Sequence, residues 1–303
     1  MHGAHFSLAA TDTSLSAPAQ DDGASNDADI DRPETAKGKR AHLPFGRLFV
    51  RLLSLVVFVA LWQAASGNRL HLGLVNFQNV PAPSEVVPAL RDLLQSPKIG
   101  AHVGSSLCRV FAGFVSAALA GIALGLMIGR SRWAADLLQP PLEMLRPIPG
   151  VAWIPLAILM FPSSELSMVF ITFVGALFPV LLNTIHGVSG IDPRLIAAAK
   201  SLGAGRLRLL TEVIAPGAAP SIVTGLSIGM GTSWFCLVTA EMIAGQYGIG
   251  YFTWESYNLQ SYADIVVGML FIGVFGMASS VLVRKFGDLL TPWYQIGNAC
   301  GHE

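Results

Sequence analysis

From Gly217 to Ala240 the chain carries no Asp, Glu, Lys or Arg, and this absence limits its possible folds more than any other feature. Crossing a bilayer takes roughly 20 mostly apolar residues, so the stretch is long enough to span one. Five more stretches have a similar character: Leu48–Ser66, Val110–Gly129, Pro141–Phe161, Leu166–Thr184 and Ile265–Val283. Hydrocarbon offers no partner to a bare N–H or C=O, so such spans close their hydrogen bonds internally, as helices. The expectation is an all-α membrane protein with six transmembrane helices. Composition agrees, because 13% of residues are charged against the ~25% usual in soluble domains.

Basic residues set the expected orientation. Arg32, Lys37, Lys39, Arg40, Arg47, Arg51, Arg130, Arg132, Arg194, Lys200, Arg206, Arg208, Arg284 and Lys285 fall on one side of such a topology. Arg69, Arg91, Lys98 and Arg109 fall on the other. The bias puts both termini in the cytoplasm. Residues 1–44 are polar and acidic (Asp21, Asp22, Asp27, Asp29, Asp31, Glu34) without apolar periodicity, the pattern of a disordered cytoplasmic tail. They lack the apolar core of a secretory signal, so no cleaved peptide is expected. Residues 45–303 form the expected permeation domain. The segment 67–105 reads as extracytoplasmic, with a short interfacial helix starting near Ser84 and Glu85.

Small residues and prolines then differentiate the spans. Gly121, Gly125 and Gly129 recur every fourth residue in the second span, and Gly225 and Gly229 do so in the fifth. Such faces let another helix approach closely. The third span is interrupted by Pro147, Pro149 and Pro155. It carries Glu143 and Arg146, spaced to pair on one face, with anion contact as the alternative for Arg146. Asn183, Thr232, Ser233 and Thr239 are candidate polar liners of a translocation path, each equally able to bridge two helices. Glu241 ends the fifth span, where a structural role is expected and docking of a partner is the alternative. The segment 241–263 reads as an outer loop with a tight glycine turn in AGQYGIGY.

The interval Asp192–Pro220 mixes charge with helix signals between apolar runs. Asp192 followed by Pro193 is a helix start, since the carboxylate caps free amides and proline suits the first turn. Leu195, Ile196, Ala199 and Leu202 follow at helical spacing, and Gly203 supplies a left-handed stop. A second short helix fits Arg206–Ile214 and is expected to end at Pro216. The prediction is helix, glycine turn, helix, outside the lipid between spans four and five.

This interval also carries a family resemblance. Ala198, Ala199, Gly203, Val213 and Pro216 match the spacing of the EAA loop of permease subunits in bacterial ATP-driven (ABC) importers. Ala197 stands where that pattern has glutamate, and Ala215 where it has leucine. The likeness runs from about Phe45 to the C-terminus and resembles the nitrate, sulfonate and taurine type. LRPIPGVAWIPLAIL (Leu145–Leu159), GALFPVLLNTIHGV (Gly175–Val188) and AEMIAGQYGIGY (Ala240–Tyr251) carry it. The resemblance implies two copies of a separate ATPase holding ATP and Mg, a second permease copy, an extracytoplasmic solute-binding protein, and a bacterial inner-membrane location. It also implies that Asp192, Ala198, Ala199, Lys200, Gly203, Arg206, Arg208 and Pro216 form the ATPase-coupling loop. Glu212 or the basic set of this loop would replace the contact of the missing glutamate.

No nucleotide-binding P-loop, paired-histidine or C-x-x-C pattern occurs, and His186 stands alone near the end of an apolar run. Cys108, Cys236 and Cys300 are far apart and read as small hydrophobes. The chain is therefore expected to hold no metal or cofactor of its own, to bind no nucleic acid, and not to be an enzyme. The resemblance implies a small anionic nutrient as the cargo. A stand-alone secondary carrier or channel is the competing class. Within the leading class, a vitamin precursor or aromatic acid is the competing cargo.

Overall fold

The computed structural model describes residues 44–69, 73 and 77–293. The expected N-terminal tail up to residue 43, and Cys300, lie outside the described residues. All regular structure among the described residues is helical. The elements are α1 (Pro44–Gly67), α2 (Pro83–Gln95), α3 (Lys98–Arg130), α4 (Arg132–Leu145), α5 (Ile154–Met160), α6 (Ser164–Ser189), α7 (Pro193–Ser201), α8 (Arg206–Leu209), α9 (Ala215–Ala244), α10 (Ile249–Asn258) and α11 (Tyr262–Leu290). Five helices are long and apolar enough to cross a membrane, and a bent pair brings the number to six.

That bent pair covers the third span, whose interruption its prolines predict. α4 and the segment Gly150–Met160 meet at 88°. Pro147 and Pro149 cannot donate to the helical ladder, so the helix does not run on through them, although Arg146 still keeps helical backbone angles (φ −54°, ψ −43°). Glu143 and Arg146 do not form the expected pair; Glu143 Oε1 accepts instead from Gln139 Nε2 at 2.7 Å. Other boundaries also move. α3 begins at Lys98, well before the expected Val110, because Gly100, Gly104 and Ser105 are small without breaking the helix. α11 runs past Arg284 and Lys285 to Leu290. α2 begins at Pro83, with Glu85 Oε2 accepting from Ala82 N–H at 3.3 Å.

The core of residues 53–293 is the trio α3, α6 and α9, with α6 between the other two. Backbone proximity explains the glycine spacing. A Cβ on Gly125 would lie 2.5 Å from Thr184 Cβ, and one on Gly129 2.7 Å from Val188 Cβ. On the other flank, a Cβ on Gly225 would lie 2.7 Å from Asn183 Cβ. Gly121 and Gly229 both face Val180. Without hydrophobic drive between spans in lipid, such close packing and interhelical hydrogen bonds hold them together. Pro179, inside α6, cannot donate to Gly175 O four residues back, and Thr232 Oγ1 of α9 donates to that carbonyl at 2.8 Å. Trp234 Nε1 donates to Ser279 Oγ at 2.7 Å and ties α9 to α11.

The C-terminal end of α1 is joined to α2 by Trp62 Nε1, which donates to Pro81 O at 3.1 Å, and by paired bonds between Gln63 and Ser84. Upstream, Leu53, Val56, Phe58 and Leu61 are exposed. An apolar surface of that kind suits hydrocarbon as its solvent.

Candidate functional site

The trio has two differently built ends. At the end where α6 finishes and α9 begins, Asp192 Oδ1 accepts from Arg194 N–H at 2.8 Å and starts α7. Gly203, at φ +83°, turns the chain out of it. A side chain there would meet no neighbour, so the constraint is the left-handed backbone itself. Ile196 and Ala199 pack inward with Val188, Leu209, Ile214 and Ala218. Ala198 faces outward, and so do Leu195, Leu202 and Leu207, among the exposed cations Arg194, Lys200, Arg206 and Arg208. Leu202 is 89% exposed. An apolar patch with a charged rim is what an interaction surface presents.

The second helix of this hairpin does not stop at Pro216. It passes through a π turn, Leu210–Ile214, directly into α9. Ala215 N–H donates to Leu210 O, five residues back. The wider turn makes room for a proline ring that would strike the carbonyl four residues earlier in a regular helix. Arg206 to Ala244 is therefore one 39-residue rod. Glu212 pairs with Arg208 Nε at 3.5 Å on its own helix, both side chains exposed.

At the opposite end α3, α6 and α9 meet around Arg109, which is 3% exposed. Its Nε and Nη2 donate to Glu165 at the start of α6, at 2.6 and 2.5 Å. Its Nη1 donates to Glu241 Oε1 at 2.9 Å and to Tyr247 O at 2.6 Å. Glu241 is wholly buried and also accepts from Ser106 Oγ at 2.7 Å. Three successive amides at the start of α10 complete the cluster. Gly248 N–H donates to His102 Nδ1 at 3.1 Å, Ile249 N–H to Ser106 Oγ at 2.9 Å, and Gly250 N–H to Glu241 Oε2 at 3.0 Å. These amides have no acceptor within their own helix, and the positive helix end favours a carboxylate. Gly248 has φ +133°, and a Cβ there would collide with the Glu241 carboxylate.

Sequence reasoning placed Arg109 in the outer segment and did not single out His102, Ser106 or Glu165. A signal was available: His102, Ser106, Arg109 and Gly113 follow helical spacing and continue the face of Gly121, Gly125 and Gly129. Glu241 has the structural role expected at the end of its span.

The other candidates scatter. Arg146 is exposed at the break after α4 and lines a cleft with Gln139, Glu143, Phe178 and His186. Asn183 Nδ2 donates to Pro179 O at 2.8 Å, and Thr239 to Phe235 O at 2.9 Å. Thr232 bridges α9 to α6, and Ser233 is buried against Thr172 O at 3.4 Å. These residues do not converge on one site. Among the described residues no cluster of His, Cys, Asp or Glu could hold a metal.

Long apolar helices around a small-residue core, with a charged two-helix hairpin at one end, define a multi-pass membrane transport subunit. The chain belongs to the family described as binding-protein-dependent transport system inner membrane component, which residues 121–296 match. It is 30% identical over 271 residues to the nitrate import permease protein NrtB of Synechocystis, covering 86% of this chain and 96% of that one. It is 35% identical over 238 residues to a protein of Escherichia coli K12 named for aliphatic sulfonates transport, SsuC, covering 78% and 89%. The fold is also that of a chain in the crystal structure of a bacterial alginate ABC transporter bound to a periplasmic protein. The TM-score is 0.50 at 14% identity, covering 81% of this chain and 93% of that one.

Proposed function

We propose that the chain carries a small anion of the nitrate, sulfonate or taurine class inward across the bacterial inner membrane, driven by a separate ATPase. The single observation behind this reading is the α7–α8 hairpin, an apolar patch ringed by cations on a chain otherwise built for lipid. Its exposed leucines and its rim, Arg194, Lys200, Arg206 and Arg208, suit a cleft on a soluble partner. Ala198 and Lys200 lie on its outer face, Ala199 braces it from within, and Asp192 and Gly203 fix its shape. ATP and Mg would be held by that partner, two copies of which would serve two copies of this chain. The positive-inside bias supports cytoplasmic termini and hairpin. The anion class comes from the two relatives named for nitrate and aliphatic sulfonates. Selection would fall to a binding protein on the outer side.

Energy transfer in this reading is a coupling free energy. ATP binding and the outward-open state each favour the other, and the hairpin is the shared contact. The test is uptake of nitrate, an alkanesulfonate or taurine into vesicles holding this chain, its ATPase and its binding protein. Vanadate should stop it. Gradient-driven uptake by this chain alone would overturn the proposal. Gly203→Pro should leave the chain inserted and abolish ATP-driven uptake.

A further inference from the structure

Arg109 stands between two carboxylates that differ in every respect that matters for release. Glu241 is fully buried, takes hydrogen bonds from Ser106, Arg109 and the Gly250 amide, and faces the first turn of α10. Glu165 is 64% exposed, and Arg109 is its one charged partner among the described residues. It sits in the first turn of α6, whose positive end stabilises a carboxylate whether or not arginine is near. On the Glu165 side water can therefore replace arginine at little cost, while Arg109 itself stays buried. Nothing comparable is available to Glu241.

Opening the outer half leaves Arg109 Nε and Nη2 to be met by water entering at Glu165, but the charge keeps a counter-ion. Arg109 would keep Glu241 and the Tyr247 carbonyl, so the buried guanidinium would not be left unpaired. The inner half ties α3 to α9 and α10, while the outer half ties α6 to that group. Where α6 meets α3 and α9, its side chains rest on glycine backbone, with a side chain from one partner only at each such contact, and packed helices of this kind can move by small slides.

We propose that Arg109 and Glu165 form a releasable clasp, closed in one state of the transport cycle and open in another, while the Glu241 half stays fixed as its base. Glu165 is thus a positioning residue for transport. The inference rests on the reading of this chain as an ATP-driven permease, and it adds where the trio opens on the side away from the hairpin.

The test uses the complex of this chain with its ATPase and binding protein in lipid vesicles, carrying Glu165→Gln or Glu165→Asp. Glu165→Gln should leave the assembled complex intact and raise ATP hydrolysis without loaded binding protein by roughly two- to fivefold, the worth of an ion pair open to water on its carboxylate side. It should also lower the solute moved per ATP. Glu165→Asp should restore part of that ratio, which a merely structural role would not do. A second measurement needs no transport. Nitroxide labels on exposed Ser164 and Gln246, with the native cysteines replaced, should show a longer or broader separation in Glu165→Gln than with Glu165 intact. The same hydrolysis rate and the same separation with and without the Gln substitution would overturn the clasp. If the wild-type complex does not couple uptake to ATP, the permease reading falls, and the label separation still decides whether Glu165 holds α6.

Discussion

The two ends of the helix trio are stabilised by opposite means. At the hairpin end, a few inward apolar side chains hold α7 down, and the charges stand in water. At the arginine end, charge is buried and three successive amides entering α10, those of Gly248, Ile249 and Gly250, each meet a named side chain. An apolar contact tolerates sliding, whereas a buried charge tolerates only its own geometry. In the proposed cycle the hairpin end is pushed, and at the arginine end the Glu241 half stays where it is while Glu165 lets go.

Breaking the fixed end should have the largest effect. Glu241→Ala leaves Arg109 with only exposed Glu165 and the Tyr247 carbonyl and removes the acceptor of Gly250; it should cost about 3–5 kcal/mol, read as a large drop in thermal unfolding temperature in detergent. Between the ends, Gly125→Val forces a side chain into Thr184 and should cost about 1–3 kcal/mol, with α3 and α6 spread apart in distance measurements between them. At the hairpin, Asp192→Ala removes a helix cap and should cost about 1 kcal/mol or less, seen as faster amide exchange confined to α7. The smallest change is Glu212→Gln, which loses an exposed helical pair worth about 0.3–0.5 kcal/mol and should leave the unfolding temperature nearly unchanged. A Glu212→Gln effect rivalling that of Glu241→Ala would erase the contrast between the ends.

What the sequence disclosed follows the same division. Helix existence was legible, because long apolar runs have one outcome in lipid. The Asp192 cap and the Gly203 turn were legible because each is fixed by its own residue type. Pro216 misled, since a proline announces a helix end, and the π turn that absorbs it depends on the geometry upstream. The Glu143–Arg146 spacing misled too, because Gln139 competes for the same carboxylate one turn away. The arginine cluster was hidden for a different reason. Its members are distant in sequence, 132 positions from Arg109 to Glu241, and only tertiary packing brings them within hydrogen-bond reach.

The unbroken run from Arg206 to Ala244 has a mechanical consequence. Thirty-nine residues make a shaft of roughly 58 Å, so a swing of about 5° about one tip carries the other through about 5 Å. Hydrogen bonds around Glu241 survive displacements of only a few tenths of an ångström. Any rotation of this shaft that keeps those bonds would be centred close to Glu241, with the buried carboxylate as fulcrum and nearly all of the travel at the hairpin.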